Sequence, residues 1–199
     1  MDSPRGTIST RFASAKNLQL HLGGWEVKAG WTIVNVEQRP GVDVLSNVTD
    51  LSMFPDGSAS EIYASHVYEH LGYQGELPRA LNEAHRVLMP GGRLRISVPD
   101  MEVLCELFLH PVARQSADNQ FMIMRMMMGG QIEPFDFHKV GFSQAILAAI
   151  LAHHGFTDIQ RVDEFHLFDD TSKMQFAERP ISLNVQCTKG PPAVREWKL

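Results

Sequence analysis

The clearest alternation of apolar and polar positions lies between Ser60 and Asp100, where it predicts three consecutive elements. Glu61 to Ser65 is a short apolar run between the turn residues Pro55-Asp56-Gly57-Ser58 and polar His66, and it reads as a buried strand. Leu77, Ala80, Leu81, Ala84, Val87 and Leu88 follow helical spacing and form a single apolar stripe. Met89-Pro90-Gly91-Gly92 stops that helix, because proline cannot continue it and glycine accepts the positive φ of a helix end. Arg93 to Val98 then places Leu94, Ile96 and Val98 at period two. Strand, crossover helix and strand make a parallel βαβ unit. Ligands of open α/β sheets bind outside the carboxyl ends of the strands, so Ser65-His66 and Pro99-Asp100 are expected to face a site.

Upstream, Asn17 to Leu22 alternates Leu18, Leu20 and Leu22 and ends in Gly23-Gly24. Trp31 to Val36 is a second β-branched strand ending at Glu37, Arg39-Pro40-Gly41 is a turn, and Val42 to Asp50 reads as a weak third strand. Downstream, Asp100 can cap a helix over Met101 to Leu109 that Pro111 closes. Residues 115–128 form a methionine-rich helix ended by Gly129-Gly130. Plain core or a subunit contact suits that helix better than a substrate lid, and it leaves room for a homodimer. The loop Gln131 to Gly141 carries Glu133, Asp136, His138 and Lys139. Ser143 is a plausible cap for a helix from Ala145 to His154, with Gly155 beyond it. Phe156 to Val162 and Ile181 to Cys187 read as two late strands, separated by a polar loop with Asp169, Asp170 and Lys173. This order predicts an α/β three-layer protein with a central, mostly parallel sheet.

Length and composition add bounds. A chain of 199 residues is expected to form one domain, with an N-terminal arm over 1–16, a helical and loop segment over 110–142 near the site, and a tail over 190–199. Lys+Arg 18 against Asp+Glu 23 gives a net charge of −5, which argues against nucleic acid as the main partner. Cys105 and Cys187 make no disulfide framework and read as small buried hydrophobes. The first residues contain no apolar run of signal-peptide type and no stretch reaches the length of a membrane span, so a soluble, cytoplasmic protein is expected.

Candidate chemistry sits at successive strand ends. Gly23 and Gly24 follow the first strand, Glu37 the second and Asp50 the third. Glycines let main chain approach a ligand, an acid after the second strand can accept both hydroxyls of a ribose, and Asp50-Leu51 can bracket an adenine ring. Together these make a nucleoside pocket upstream of a clear βαβ unit.

The strings LHLGGWxxxxGWxxVNVE, DLSMFPDGSASEIYASHVYEHL and LNEAHRVLMPGGRLRISVPD resemble the class I S-adenosylmethionine-dependent methyltransferases, in particular the methyltransferase type 11-like proteins, over about residues 17–109. The resemblance implies a Rossmann-like sandwich with a seven-stranded sheet whose last strand is antiparallel. It also implies S-adenosylmethionine as cofactor, with Gly23 and Gly24 near its methionine part and Glu37 on the ribose. Asp50 and Leu51 would lie about the adenine, and Ser65 and His66 below the sulfonium. The chain departs from the family in having Gly23-Gly24-Trp25 where a GxGxG-like string is usual. The connection from Gly24 to Trp31 is also too short for the usual crossover helix.

His66 and His70 are four apart and would share a helix face. A metal there would need a third ligand; His138 is a candidate, but no spacing demands it, and no metal is assigned. General base chemistry is the sharper reading, since imidazole titrates near neutral pH, and His66 and His138 are the candidate catalytic residues. The expected activity is methyl transfer to a small-molecule acceptor such as a sugar or natural-product intermediate. The alternative is a methyltransferase-like domain that has lost its cofactor and serves as a binding or scaffold module. A nicotinamide-dependent oxidoreductase fits poorly, because no GxGxxG string opens a helix.

Overall fold

The computed structural model describes residues 12–191, so most of the expected N-terminal arm and of the C-terminal tail lie outside the described residues. Within them, the βαβ unit forms as the hydrophobic pattern dictates. Strand β4 (Ala59–Ser65) leads through a short 3-10 turn at Tyr68–His70 to helix α1 (Glu76–Val87) and then β5 (Leu88–Pro99). Helix α1 buries Leu77, Ala80, Leu81, Ala84 and Val87, the stripe its spacing predicts. Strand β5 begins directly after the helix: Ala59 pairs with Leu88 and Glu61 with Arg93, so Met89–Gly92 bulge out opposite Ser60.

Strands β1 (Leu18–Leu22), β2 (Trp31–Asn35) and β3 (Val44–Leu45) precede this unit. The third strand is far shorter than the sequence suggests: only Val44 and Leu45 pair, with Val34 and Asn35, and the chain turns away at Ser46. After β5 come helices α2 (Met101–Leu109), α3 (Ala117–Met128) and α4 (Gln144–His153), with Asp100, Ser116 and Ser143 as their N-caps. Strand β6 (Phe156–Val162), the small hairpin of β7 (Gln175–Phe176) and β8 (Arg179–Pro180), and β9 (Ser182–Lys189) are the last elements among the described residues.

The main sheet has seven strands in the order β3-β2-β1-β4-β5-β9-β6. All neighbours pair in parallel as far as β5, and β9 runs antiparallel to both β5 and β6. This is the α/β sandwich expected from the sequence, with the last strand antiparallel. Among the described residues no helix is long and apolar enough to cross a membrane. Cys187 is buried as expected, whereas Cys105 is exposed on α2. In α3 only Ile123 is buried, and Phe121, Met122, Met124 and Met128 are exposed, so this helix is not plain core.

No helix connects β1 to β2, which leaves one sheet face without its usual cover. The segment 163–174 supplies it. Phe165 and Phe168 pack on Trp31 and Tyr63 in a separate buried cluster, and the Phe168 ring lies 4.0 Å from that of His21. Polar contacts fasten the segment: the Tyr63 hydroxyl donates to the Asp170 carboxylate (2.9 Å), and the Asp169 amide donates to Glu26 (3.0 Å). Burial under these rings pushes the His21 imidazole down to about 4, the Asp170 charge acting in the opposite sense.

Two outcomes follow from this cover. Phe168→Ala should lower the unfolding free energy by about 3–5 kcal/mol in urea denaturation, the cost of emptying a buried phenylalanine site, and a loss below about 1 kcal/mol would show the segment to be dispensable. His21 binds its proton more weakly folded than unfolded. Its stabilisation is therefore complete above pH 6.5 and is lost as pH falls towards about 4. The loss of stability between pH 6.5 and 5 should shrink by about 2 kcal/mol in His21→Gln, and an unchanged pH slope would contradict a buried, neutral His21.

Candidate active site

The parallel register brings the carboxyl ends of β1, β2 and β4 level with one another: Leu22 stands beside both Val34 and Ala64. The loops leaving these ends, with residues 132–136 facing them, enclose a cleft of about 490 Å³. Its wall includes Gly23, Trp25, Glu37, Ser65, His66 and His70.

Beneath the first loop the chain is tightly packed. Gly23 has a φ of +73°, and a Cβ there would stand 2.4 Å from Val67; a Cβ on Gly24 would stand 2.3 Å from the His21 ring. Both positions thus require glycine for packing, independently of any ligand. Asn35 ties this turn to the second strand end. Its Nδ2 donates to the Gly23 and Gly24 carbonyls (3.1 Å each), and its Oδ1 accepts from the Glu37 amide (2.9 Å). Glu37 points its carboxylate at the cleft mouth, where it pairs with Arg39, and the Arg39 guanidinium lies 5.6 Å from the Trp25 ring centre. Glu133 approaches from the opposite loop. Its hydrogen bond to Glu37 and the Glu37 charge raise the Glu133 carboxyl above the ordinary range. Trp25 is 60% exposed and forms part of the rim.

The chain leaves β4 through His66, which holds a left-handed φ of +53° while its amide donates to the Ser97 carbonyl (2.9 Å). That bend aims the His66 ring past the sheet edge. Its Nδ1 stands 3.1 Å from Oε1 of Glu69, and its Nε2 stands 3.0 Å from the Ser182 hydroxyl, which itself donates to the Thr171 carbonyl (2.8 Å). Glu69 is 1% exposed. Burial works against its charge, but the imidazoles of His66, His70 and His138 outweigh that penalty and hold its carboxyl below the ordinary range.

His138 reaches the same place from the loop after α3. Gly129 starts that loop with a φ of +83°, so close to the Asp136 carbonyl that any Cβ would stand 2.1 Å from it. The amides of Lys139 and Val140 donate to the Glu69 carbonyl (2.7 and 3.2 Å), which fastens the loop to the turn after β4. His138 and His66 then line a second cavity of about 270 Å³, walled by Met122, Arg125 and Met126 of α3 and by Met174 and Ile181. Burial lowers the His138 pKa, with Glu69 opposing and His70 adding to the effect.

Among the residues expected at the site, Gly23, Glu37, Ser65 and His66 line the larger cleft, and His66 and His138 line the smaller cavity. Gly24 sits one position back, on the narrow recess beside Asp169 and Asp170. Asp50 and Leu51 line neither cavity. The Asp50 carboxylate accepts from the Ser52 amide (3.0 Å), and Leu51 is buried with its amide on Glu83 (2.7 Å). Asn47 and Val48 occupy the cleft wall instead. Asp100, expected to face the site, is buried as the cap of α2 and pairs with Arg161 (2.8 Å). Asn35 and Glu69 are the residues that sequence reasoning missed. An asparagine closing a β-branched strand just before an acid was the available signal for the first; nothing in the periodicity marked the second as buried.

Residues 28–96 match the family model described as "Methyltransferase domain". No curated protein matches the sequence. Solved structures match the fold. A possible histamine N-methyltransferase from Thermotoga maritima is 18% identical with a TM-score of 0.53, over 87% of this chain and 83% of that one. The N-methyltransferase NodS from Bradyrhizobium japonicum is 11% identical with a TM-score of 0.50, over 92% and 91%. The CurJ carbon methyltransferase is 13% identical with a TM-score of 0.52 over 89% of this chain, which spans only 50% of that protein. Identities this low speak for the fold, and the matched range 28–96 includes the ends of β2 and β4 at the cleft but not that of β1. The sheet order with its antiparallel penultimate position is the fold of these methyltransferases, and residues 28–96 of the chain match a methyltransferase domain.

Proposed function

We propose that this enzyme transfers a methyl group from S-adenosylmethionine to a small-molecule acceptor, a sugar or a natural-product intermediate, with the cofactor in the larger cleft and the acceptor in the smaller cavity. The observation that carries this reading is that His66 lines both spaces, so one side chain stands where the two ligands would meet.

The residues of the cleft fit the cofactor. A volume of about 490 Å³ suits a ligand of that size. Glu37 would accept from the ribose hydroxyls, exchanging its contacts with Arg39 and Glu133 for them, while Gly23 and Ser65 flank the methionine part. Asn47 and Val48 lie where the adenine would rest, and Asp50 and Leu51 support them from behind, the Asp50 carbonyl accepting from the Ser46 hydroxyl (2.8 Å). When bound, the cofactor supplies a methyl group already activated by a positively charged sulfur. The chain itself has to hold the acceptor in line with that methyl, exclude water, and take a proton where the acceptor carries one.

His66 suits the last task. Ser182 donates its proton to the Thr171 carbonyl and so accepts from Nε2; base action at Nε2 needs the proton moved to Nδ1, beside Glu69, and hence an acceptor hydroxyl in place of Ser182. His138 contacts the acceptor from the other side of the cavity, and the methionines of α3 give that cavity an apolar, adaptable wall.

Calorimetric titration with S-adenosylhomocysteine tests the reading. Wild-type protein should bind it, Glu37→Ala should bind it roughly tenfold to a hundredfold more weakly, and His66→Ala should keep the wild-type affinity. No heat and no thermal stabilisation with either the cofactor or its demethylated product would overturn the enzyme reading and favour a cofactor-free binding module.

A further inference from the structure

We propose that Glu69, His70 and His138 form a binding site for one divalent transition-metal ion, of the zinc type, in the wall between the two cavities. Glu69 and His70 are neighbours in sequence and His138 lies 68 residues beyond His70, yet one ligand atom from each lies within 4.8 Å of the other two.

Protonation is decided by the hydrogen bonds. His70 Nδ1 stands 3.2 Å from the Phe137 carbonyl, and His138 Nδ1 stands 3.1 Å from the Met127 carbonyl. A carbonyl can only accept, so both Nδ1 atoms carry the proton and both Nε2 atoms keep a lone pair. Such backbone anchoring of the far nitrogen is how a protein orients a histidine ligand.

Glu69 supplies the second, independent observation. Its carboxylate is buried, and neither oxygen receives an aligned hydrogen bond from any described residue; His66 Nδ1 at 3.1 Å and His70 Nε2 at 4.0 Å approach Oε1 only as ion-pair partners. A buried, unsatisfied carboxylate is costly, and a cation between it and two imidazole lone pairs satisfies all three at once. Two imidazoles and one carboxylate are the donor set of zinc sites that keep a fourth position open. With metal–ligand bonds of about 2.0–2.2 Å the donors would stand about 3.4 Å apart, which modest side-chain rotation brings about.

The open position would face the cavities, since His70 lines the larger and His138 the smaller. An acceptor with an oxygen donor would bind there, with His66 alongside to take its proton. This deepens the proposed methyl transfer by selecting hydroxyl-bearing acceptors, and it rests on that reading for the role of the ion but not for the site itself. The ion would also clamp the loop bearing His138 onto the turn bearing Glu69 and His70.

The test is calorimetry of chelator-treated, full-length protein with zinc chloride, and separately with cobalt chloride read by visible absorption. The proposal expects one zinc ion per chain, a rise in melting temperature, and the d–d absorption of four-coordinate cobalt. His138→Ala should weaken zinc binding by about 100-fold or more and abolish the cobalt spectrum, whereas His166→Ala, on an exposed side chain, should change neither. Absence of zinc binding by wild-type protein, or binding and a cobalt spectrum unaltered in His138→Ala, overturns the site. A parallel titration with S-adenosylhomocysteine separates the two claims: binding of that ligand by protein that takes up no zinc removes only the metal, and zinc uptake without it removes only the cofactor reading.

Discussion

Everything at this site depends on parallel strand pairing that leaves neighbouring strands ending at one level. Backbone hydrogen bonds continue the ladder one residue past the strands, from the Gly23 amide to the Val34 carbonyl (2.8 Å) and from the His66 amide to the Ser97 carbonyl (2.9 Å). Because those bonds fix where the chain departs, the first residues of each loop have defined directions. Gly23, Glu37 and His66 therefore reach a common cleft.

The cost of the short link between β1 and β2 is met elsewhere in the chain. A parallel connection usually brings a helix to cover the sheet, and here an aromatic segment from beyond β6 does so instead. This ties the strand ends to the loop carrying Asp170 and Thr171, since Tyr63 and Ser65 both hydrogen-bond to Asp170. The cover and the site are thus one structure: Thr171 lines the cleft, and its carbonyl accepts from the Ser182 hydroxyl that neighbours His66.

Much of the fold was legible in the sequence, because local pattern and global role agree in the central βαβ unit and in the capped helices after Asp100 and Ser143. The third strand was overestimated, since Val44, Leu45 and Val48 are apolar for different reasons: Val44 pairs in the sheet and is buried, Leu45 pairs but is exposed, and Val48 packs in a loop. The strand-end logic anticipated that Glu37 and His66 line the cleft, since their positions follow from counting along a strand. Asp50 lies off the cleft wall because the chain has already turned back by that point, tied by the Ser46 hydroxyl to the Asp50 carbonyl. Glu69 was invisible for a different reason. A glutamate between a tyrosine and a histidine reads as a solvated residue, and only the folded loop carrying His138 shows that it lies beneath three imidazoles. The metal reading weighed from the sequence joined His66, His70 and His138, whereas the proposed site has Glu69 in place of His66.

The central claim is that donor and acceptor meet beside His66, and a crystal structure of the protein with S-adenosylhomocysteine addresses it most directly. The account predicts the ribose on Glu37 and the thioether sulfur directed through the gap at His66 towards the methionine-lined cavity. A sulfur directed away from that cavity, or an adenosyl group seated anywhere other than the cleft bearing Glu37, would contradict it.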